Sequence, residues 1–341
     1  MSAAIDPSFR HSILTLRLDF MNILANDGIS AAAKEALETA GHRVWTSFIE
    51  PEDLIGFIQK EQVHGVIVRS ATKIRQPLID VCPNLKFVIR GGVGMDNIDV
   101  AYAREHGVAV RNTPASSSQS VAELVMGHLF GLSRFLHDSN RRMPVEGTDQ
   151  FKGLKKAYGK GAELRGKTLA IIGFGRIGQS LASYAVGCGM KVIGVDQNTG
   201  SHQLPVTIGD TTVQVDIPLV TMAEAFSKAD AISLHIPAQA NGDAVIGAAE
   251  FGQMKRGVIV INAARGGVMD EDALIEALDS GQVASAGLDV FVGEPKPRQD
   301  LMRHPKIALT PHIGAATSEA QERIGMEIVS IVQEINENLS A

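Results

Sequence analysis

Residues 173–178 read Gly-Phe-Gly-Arg-Ile-Gly, directly after the apolar run Thr168–Ile172 and directly before a helix-forming stretch, and that order leaves few folds available. Gly173 permits a tight strand-to-helix turn, Gly175 lets backbone approach a diphosphate, and Gly178 lets helix and strand pack closely. The helix start, at Arg176 and Ile177, presents unbonded N–H groups and the positive end of the helix dipole. The next apolar run, Met190–Val195, ends in Asp196, eighteen residues past Gly178. An acid there suits the ribose hydroxyls of a dinucleotide. It repels a 2′-phosphate, and Gln197 and Asn198 bring no cation to bind one. Alone, the glycines are a common turn signal. With strand, helix and terminal acid they read as an NAD site.

The rest of the chain repeats the same grammar. Short apolar strands are expected at 22–26, 43–48, 64–68, 86–90 and 107–110, and again at 168–172, 191–195, 230–234, 257–261, 284–288 and 306–310. Helical stretches separate them, so the fold class is α/β with parallel sheets covered on both faces. A long helix is expected over 115–137, with Ser120 and Glu123 at capping-box spacing. A polar arm or connection follows over 138–166. Thr221 and Glu224 offer another cap, and Ser318 and Gln321 one for a last helix over 317–339. Val206 to Ile217, alternating around Gly209-Asp210, reads as an inserted hairpin. Residues 1–20 read as a disordered extension outside the fold, or as an upstream start.

Composition removes several functions. The net charge is −6, which speaks against a nucleic-acid binder. No apolar run reaches membrane-spanning length. Two cysteines, Cys82 and Cys188, give neither a disulfide framework nor metal spacing, and they suit a reducing cytoplasm.

Further clusters fall at strand ends, where open α/β sheets bind ligands. They are Ser233-Leu-His235-Ile236-Pro237, Asn262-Ala263-Ala264-Arg265-Gly-Gly267, Gly287-Leu-Asp289 through Glu294-Pro295, and Thr310-Pro-His312-Ile-Gly314. Singly they have plain readings: a loop histidine, an Arg265 paired with Asp270, a turn at Glu294, an N-cap at Asp289. In this order and spacing the series resembles the D-isomer-specific 2-hydroxyacid dehydrogenases from Met21 to about Leu339. Within them it is most similar to short D-3-phosphoglycerate dehydrogenases that lack regulatory domains.

That resemblance implies two doubly wound domains, a Rossmann NAD domain over 116–312 and a flavodoxin-like substrate domain over 21–115 and 313–341, with a cleft between them. It implies His312 as proton carrier, Glu294 as its hydrogen-bond partner, and Arg265 as clamp for the substrate carboxylate. Asp289 would contact the nicotinamide carboxamide. His235, Ile236, Pro237, Ala263, Ala264, Arg265, His312 and Gly314 would line the cofactor, and no metal is needed. Arg69-Ser70 and the turn Arg90-Gly91-Gly92 would contact substrate. Arg141, Arg142, Lys155 and Lys156 would lie in an arm packed across a homodimer.

The activity implied is NAD-dependent oxidation of D-3-phosphoglycerate, the first step of serine biosynthesis. The alternatives are a glyoxylate or hydroxypyruvate reductase, another D-2-hydroxyacid dehydrogenase, or an NAD-sensing corepressor. Asp196 generates a direct expectation: kcat/KM with NAD should exceed that with NADP, and a preference for NADP would refute this reading of the strand end.

Overall fold

The computed structural model describes residues 20–339, so the extension at 1–20 lies almost wholly outside the described residues. The chain divides into two compact units, one built from residues up to 114 and from 321 onward, the other from 115–320.

In the first unit, β1 (Asn22–Ala25), α1 (Ala31–Thr39), β2 (Arg43–Trp45), α2 (Pro51–Lys60), β3 (Gly65–Val68), α3 (Gln76–Val81), β4 (Phe87–Arg90), α4 (Val100–Glu105) and β5 (Ala109–Asn112) follow one another. The five strands form a parallel sheet in the order β2-β1-β3-β4-β5. Strand side chains alternate between faces, and both faces are covered. Leu24, Val66, Val88 and Val110 pack with Leu54, Ile58 and Leu78. Ile23, Ile67, Phe87 and Ile89 pack with Leu37 and with Ile324, Ile328 and Val332 of the last helix, α12 (Ser318–Leu339). Each such side chain contributes about 1.5–3 kcal/mol on burial.

The second unit runs α5 (Ser118–Ser133), α6 (Leu136–Ala157), β6 (Thr168–Ile172), α7 (Arg176–Gly187), β7 (Lys191–Val195), β8 (Gly200–Ile208), β9 (Thr211–Leu219), α8 (Met222–Lys228), β10 (Ala231–Leu234), α9 (Ala248–Gln253), β11 (Val258–Asn262), α10 (Glu271–Asp279), β12 (Val283–Leu288), α11 (Gln299–Arg303) and β13 (Ile307–Leu309). Its sheet order is β13-β12-β11-β10-β6-β7-β9-β8, parallel except for the hairpin β8–β9. The chain leaves β6 toward β7 on one side and later returns to β10 on the other. A topological switch point therefore lies beside the end of β6.

Four local expectations change. The helix expected over 115–137 breaks at Phe135, whose φ of 56° is left-handed, and Ala162 N–H takes the Ser133 carbonyl. The polar arm is mostly a helix, α6, which buries only Leu154 and so lacks the apolar stripe that marks helices in sequence. Ser120 is no cap: its hydroxyl bonds that of Thr317, which itself accepts Ala320 N–H at the start of α12. Thr221 does cap α8, and the hairpin is longer than the 206–217 expected. Among the described residues no helix is long and apolar enough to cross a membrane.

The start of β1 hangs on two histidines. His42 Nδ1 accepts Met21 N–H at 3.3 Å, and His64 Nδ1 accepts Asn22 N–H at 2.9 Å. A ring nitrogen accepts only while unprotonated. Burial lowers both pKa values below 6.5, and Lys86 adds to this at His64. The stabilisation is therefore complete above about pH 6.5 and is lost as pH falls through the lowered values. Tm should drop between about pH 7.5 and about pH 5. The drop should shrink in a His42→Asn, His64→Asn variant, whose amide oxygens accept at either pH. Equal drops in both proteins would remove the histidines as the cause.

Candidate active site

Register brings the strand-end residues of the second unit into one row. Val195 pairs with Ile172, Ile172 with Leu234, Leu234 with Asn262, Asn262 with Leu288, and Leu288 with Leu309. The next residue in each strand is Asp196, Gly173, His235, Ala263, Asp289 and Thr310. All six leave the sheet along the same edge, so sequence positions up to 137 residues apart meet at one rim.

At the switch point Gly173 has φ +96°, and a Cβ on it would lie 2.5 Å from the His235 carbonyl oxygen and 2.9 Å from Ile236. A Cβ on Gly178 would overlap the Gly173 carbonyl. A Cβ on Gly175 would meet nothing within 4 Å. Gly175 is the N-cap of α7 and brings no side chain to its amides, so the helix start at Arg176 and Ile177 stays open to a ligand. Asp196 is exposed at the end of β7, its carboxylate accepting Gln197 N–H. Burial pushes His235 down to about 4, which keeps the ring neutral. Its Nε2 bonds the Ser233 hydroxyl at 2.8 Å, and its buried Nδ1 has no partner among the described residues. An open cradle at a helix start, a terminal acid and an unmatched buried nitrogen fit a dinucleotide.

Arg265 stands in a loop that Asn262 shapes. The Asn262 side chain donates to the Arg265 carbonyl and accepts Ala264 N–H, which closes the turn. The guanidinium donates to the Ala264 carbonyl. Asp270 does not pair with it in the way a surface reading suggests: that carboxylate caps α10 through Asp272 and Ala273 N–H.

His312 Nδ1–H donates to Glu294 at 2.8 Å. The pair is 42 % and 34 % exposed, so Nε2 is the ring atom left to exchange a proton with a ligand. His312 has φ 54°, a conformation that costs a non-glycine residue roughly 1–2 kcal/mol. What holds it there is Asp289, which is 1 % exposed. One Asp289 oxygen accepts the Thr310 hydroxyl and Ile313 N–H, and the other accepts Gly314 N–H. Thr310 has one hydroxyl hydrogen and gives it to Asp289, so His128 Nε2–H donates to Thr310 at 3.1 Å. The sequence reading puts Asp289 against the nicotinamide. In the structure its oxygens are bonded to the loop that carries His312.

In the first unit, Arg69 follows β3 and Arg90 ends β4, with Val68 and Arg90 paired in register. Ser70 is exposed beside Arg69. A Cβ on Gly91 would lie 3.7 Å from the Arg69 side chain. The Arg90 guanidinium donates to the Gly91 carbonyl and covers Gly92, whose φ is +139°. Sequence reasoning missed what fixes this loop. Asp27 accepts Arg69 N–H, Thr72 N–H and the Thr72 hydroxyl, and Asn97 donates to the carbonyls of Arg69 and Thr72. The signal is present as Asn26-Asp27-Gly28 at the end of β1, a run that by itself marks only a turn.

Residues 126–314 match the family described as D-isomer specific 2-hydroxyacid dehydrogenase, NAD binding domain. The chain is 42 % identical over 299 residues to a hydroxypyruvate reductase of Thermotoga maritima, covering 87 % of this chain and 90 % of that protein. It is 37 % identical over 307 residues to a D-3-phosphoglycerate dehydrogenase of Rattus norvegicus, covering 90 % of this chain but only 55 % of that one. Among solved structures, a glyoxylate reductase from Paecilomyes thermophila superposes with TM-score 0.75 at 29 % identity, covering 93 % of this chain and 95 % of its own. The TT0316 protein from Thermus thermophilus superposes with TM-score 0.76 at 30 % identity, covering 93 % of this chain and 97 % of its own. The chain belongs to the D-isomer specific 2-hydroxyacid dehydrogenases, oxidoreductases that use NAD.

Proposed function

We propose that the chain interconverts D-3-phosphoglycerate and 3-phosphohydroxypyruvate by hydride transfer at C2. The observation that carries the reaction is the His312–Glu294 pair at the same sheet rim as Arg265. Arg265 holds the substrate carboxylate and polarises the C2 oxygen, a task that suits a planar guanidinium. His312 Nε2 takes the hydroxyl proton during oxidation and returns it during reduction. Glu294 orients the ring through Nδ1 and offsets the charge it gains. The glycine turn 173–178, Asp196, the segments 235–237 and 263–265, and Gly314 hold the cofactor. Bound there, NAD would supply the hydride acceptor for C2.

The 3-phosphate rests on Arg69 and Arg90, two cations on adjacent strand ends around a glycine turn. Each charge-assisted bond contributes about 1.5–3 kcal/mol, or roughly 10- to 150-fold in binding. A second reading, reduction of hydroxypyruvate to D-glycerate, is favoured by the similarity to a hydroxypyruvate reductase along 90 % of that protein's length. The proposal extends to a homodimer through α6, where Leu136, Met143, Val145 and Phe151 are exposed. It extends also to the cytoplasm, where the free Cys82 and Cys188 would stay reduced.

Arg265→Ala and His312→Ala should each lower kcat/KM by about 100-fold or more while NADH still binds. Near-normal turnover in either would sink the assignment of roles. Arg69→Ala and Arg90→Ala should raise KM for 3-phosphoglycerate about tenfold or more, with little change for D-glycerate. If the wild type uses D-glycerate as efficiently as 3-phosphoglycerate, the second reading replaces the first. A protein that binds NADH but turns over no 2-hydroxy acid is instead an NAD sensor.

A further inference from the structure

Glu271 opens α10, yet its carboxylate does not serve that helix. Asp270 caps α10 by accepting Asp272 and Ala273 N–H. Glu271 turns away and accepts the N–H of Val292 at 2.8 Å, and burial raises its pKa despite that bond. Val292 lies between Phe291, which is buried, and the loop that carries Glu294.

The two-residue segment Phe291–Val292 is held at three points. Phe291 N–H donates to one oxygen of Glu294 at 2.9 Å, and the other oxygen of Glu294 accepts from His312. Val292 N–H donates to Glu271. The Phe291 carbonyl lies against Gly266, where a Cβ would overlap it. Gly266 directly follows Arg265. Phe291 thus meets the loop of the arginine through its carbonyl and the carboxylate that orients the histidine through its N–H, while Glu271 holds Val292 N–H on the same peptide as that carbonyl.

We propose that Glu271 is a positioning residue for the reaction, acting through the Phe291–Val292 segment on Glu294 and through it on His312. The inference rests on the proton-carrier reading of His312 and Glu294. Without the Val292 bond the segment loses one of its three anchors, and Phe291 N–H, one residue back, holds Glu294 and its second oxygen less firmly toward the imidazole. A shift of about 1 Å in such a group costs up to about 100-fold in rate. Substrate and cofactor affinities are unaffected, because Glu271 touches neither in this reading.

The test compares Glu271→Ala, Glu271→Asp and Glu271→Gln in the full chain. Alanine removes the acceptor and aspartate is one methylene too short, whereas glutamine keeps a carbonyl at the same reach. The Ala and Asp variants should lose about tenfold or more in kcat, with KM and the NADH dissociation constant changed less than about twofold. The Gln variant should stay within about threefold of wild type. Hydrogen exchange in the peptides covering 289–296 should speed up in Ala and Asp and not in Gln. Asp covers the case in which Ala does not fold. Three outcomes overturn the proposal: kcat near wild type in the Ala and Asp variants, equal loss in Gln and Ala, or unchanged exchange over 289–296. A wild type inactive on every 2-hydroxy acid would instead strike the reaction itself, and the exchange measurement would still decide the link from Glu271 to the peptide.

Discussion

The Asp289 carboxylate is the interaction on which the catalytic end of the second unit depends. A buried anion costs several kcal/mol unless its oxygens are bonded, and here three donors bond it. Those donors all come from Thr310–Gly314, so the demand of the charge becomes the shape of the loop. The left-handed backbone at His312 is an outcome of that demand. It points to function in the accepted direction, from an observed strain to a role for the residue that bears it. His128 extends the arrangement by one bond, and Gly287 makes room for it, since a Cβ there would come within 3.0 Å of the ring.

A second carboxylate, Glu294, works on the opposite side of His312 and carries two duties with its two oxygens. One duty is local, toward Phe291 N–H, and the other is chemical, toward the imidazole. A carboxylate in this double position cannot move for one partner without disturbing the other. The proton-exchanging ring is therefore bracketed by backbone bonds to Asp289 and a side-chain bond to Glu294. Neither relies on the mobility of a long side chain.

Much of this was legible in the sequence because it followed period and punctuation. Gly173, Gly175 and Gly178 marked the cofactor turn, and apolar runs ending in Asp196, His235, Arg265 and Asp289 marked the rim. The helix α6 was not legible as a helix, since its contacts bury only Leu154 and leave no stripe to read. The break at Phe135 was invisible because the Ser133 carbonyl beside it is taken by the N–H of distant Ala162. The destinations of Asp27, Glu271 and Asp289 also depend on residues 20 to 45 positions away, and a carboxylate reads the same in sequence whether it meets a ligand, a helix start or a backbone amide.

The row of paired residues at the sheet rim has a consequence for how such a chain tolerates change in length. Within a strand, inserting or deleting one residue reverses the faces and moves the terminal group off the rim. Between strands the length is free, because the register of each strand is set by its neighbours. The hairpin β8–β9 occupies that freedom: twenty residues, 200–219, sit between β7 and α8, while Asp196 and His235 still leave the sheet in the same row. Insertions and deletions should therefore be admitted at the loops and refused in the strands, so that the rim outlasts large differences in the length of the chain that builds it.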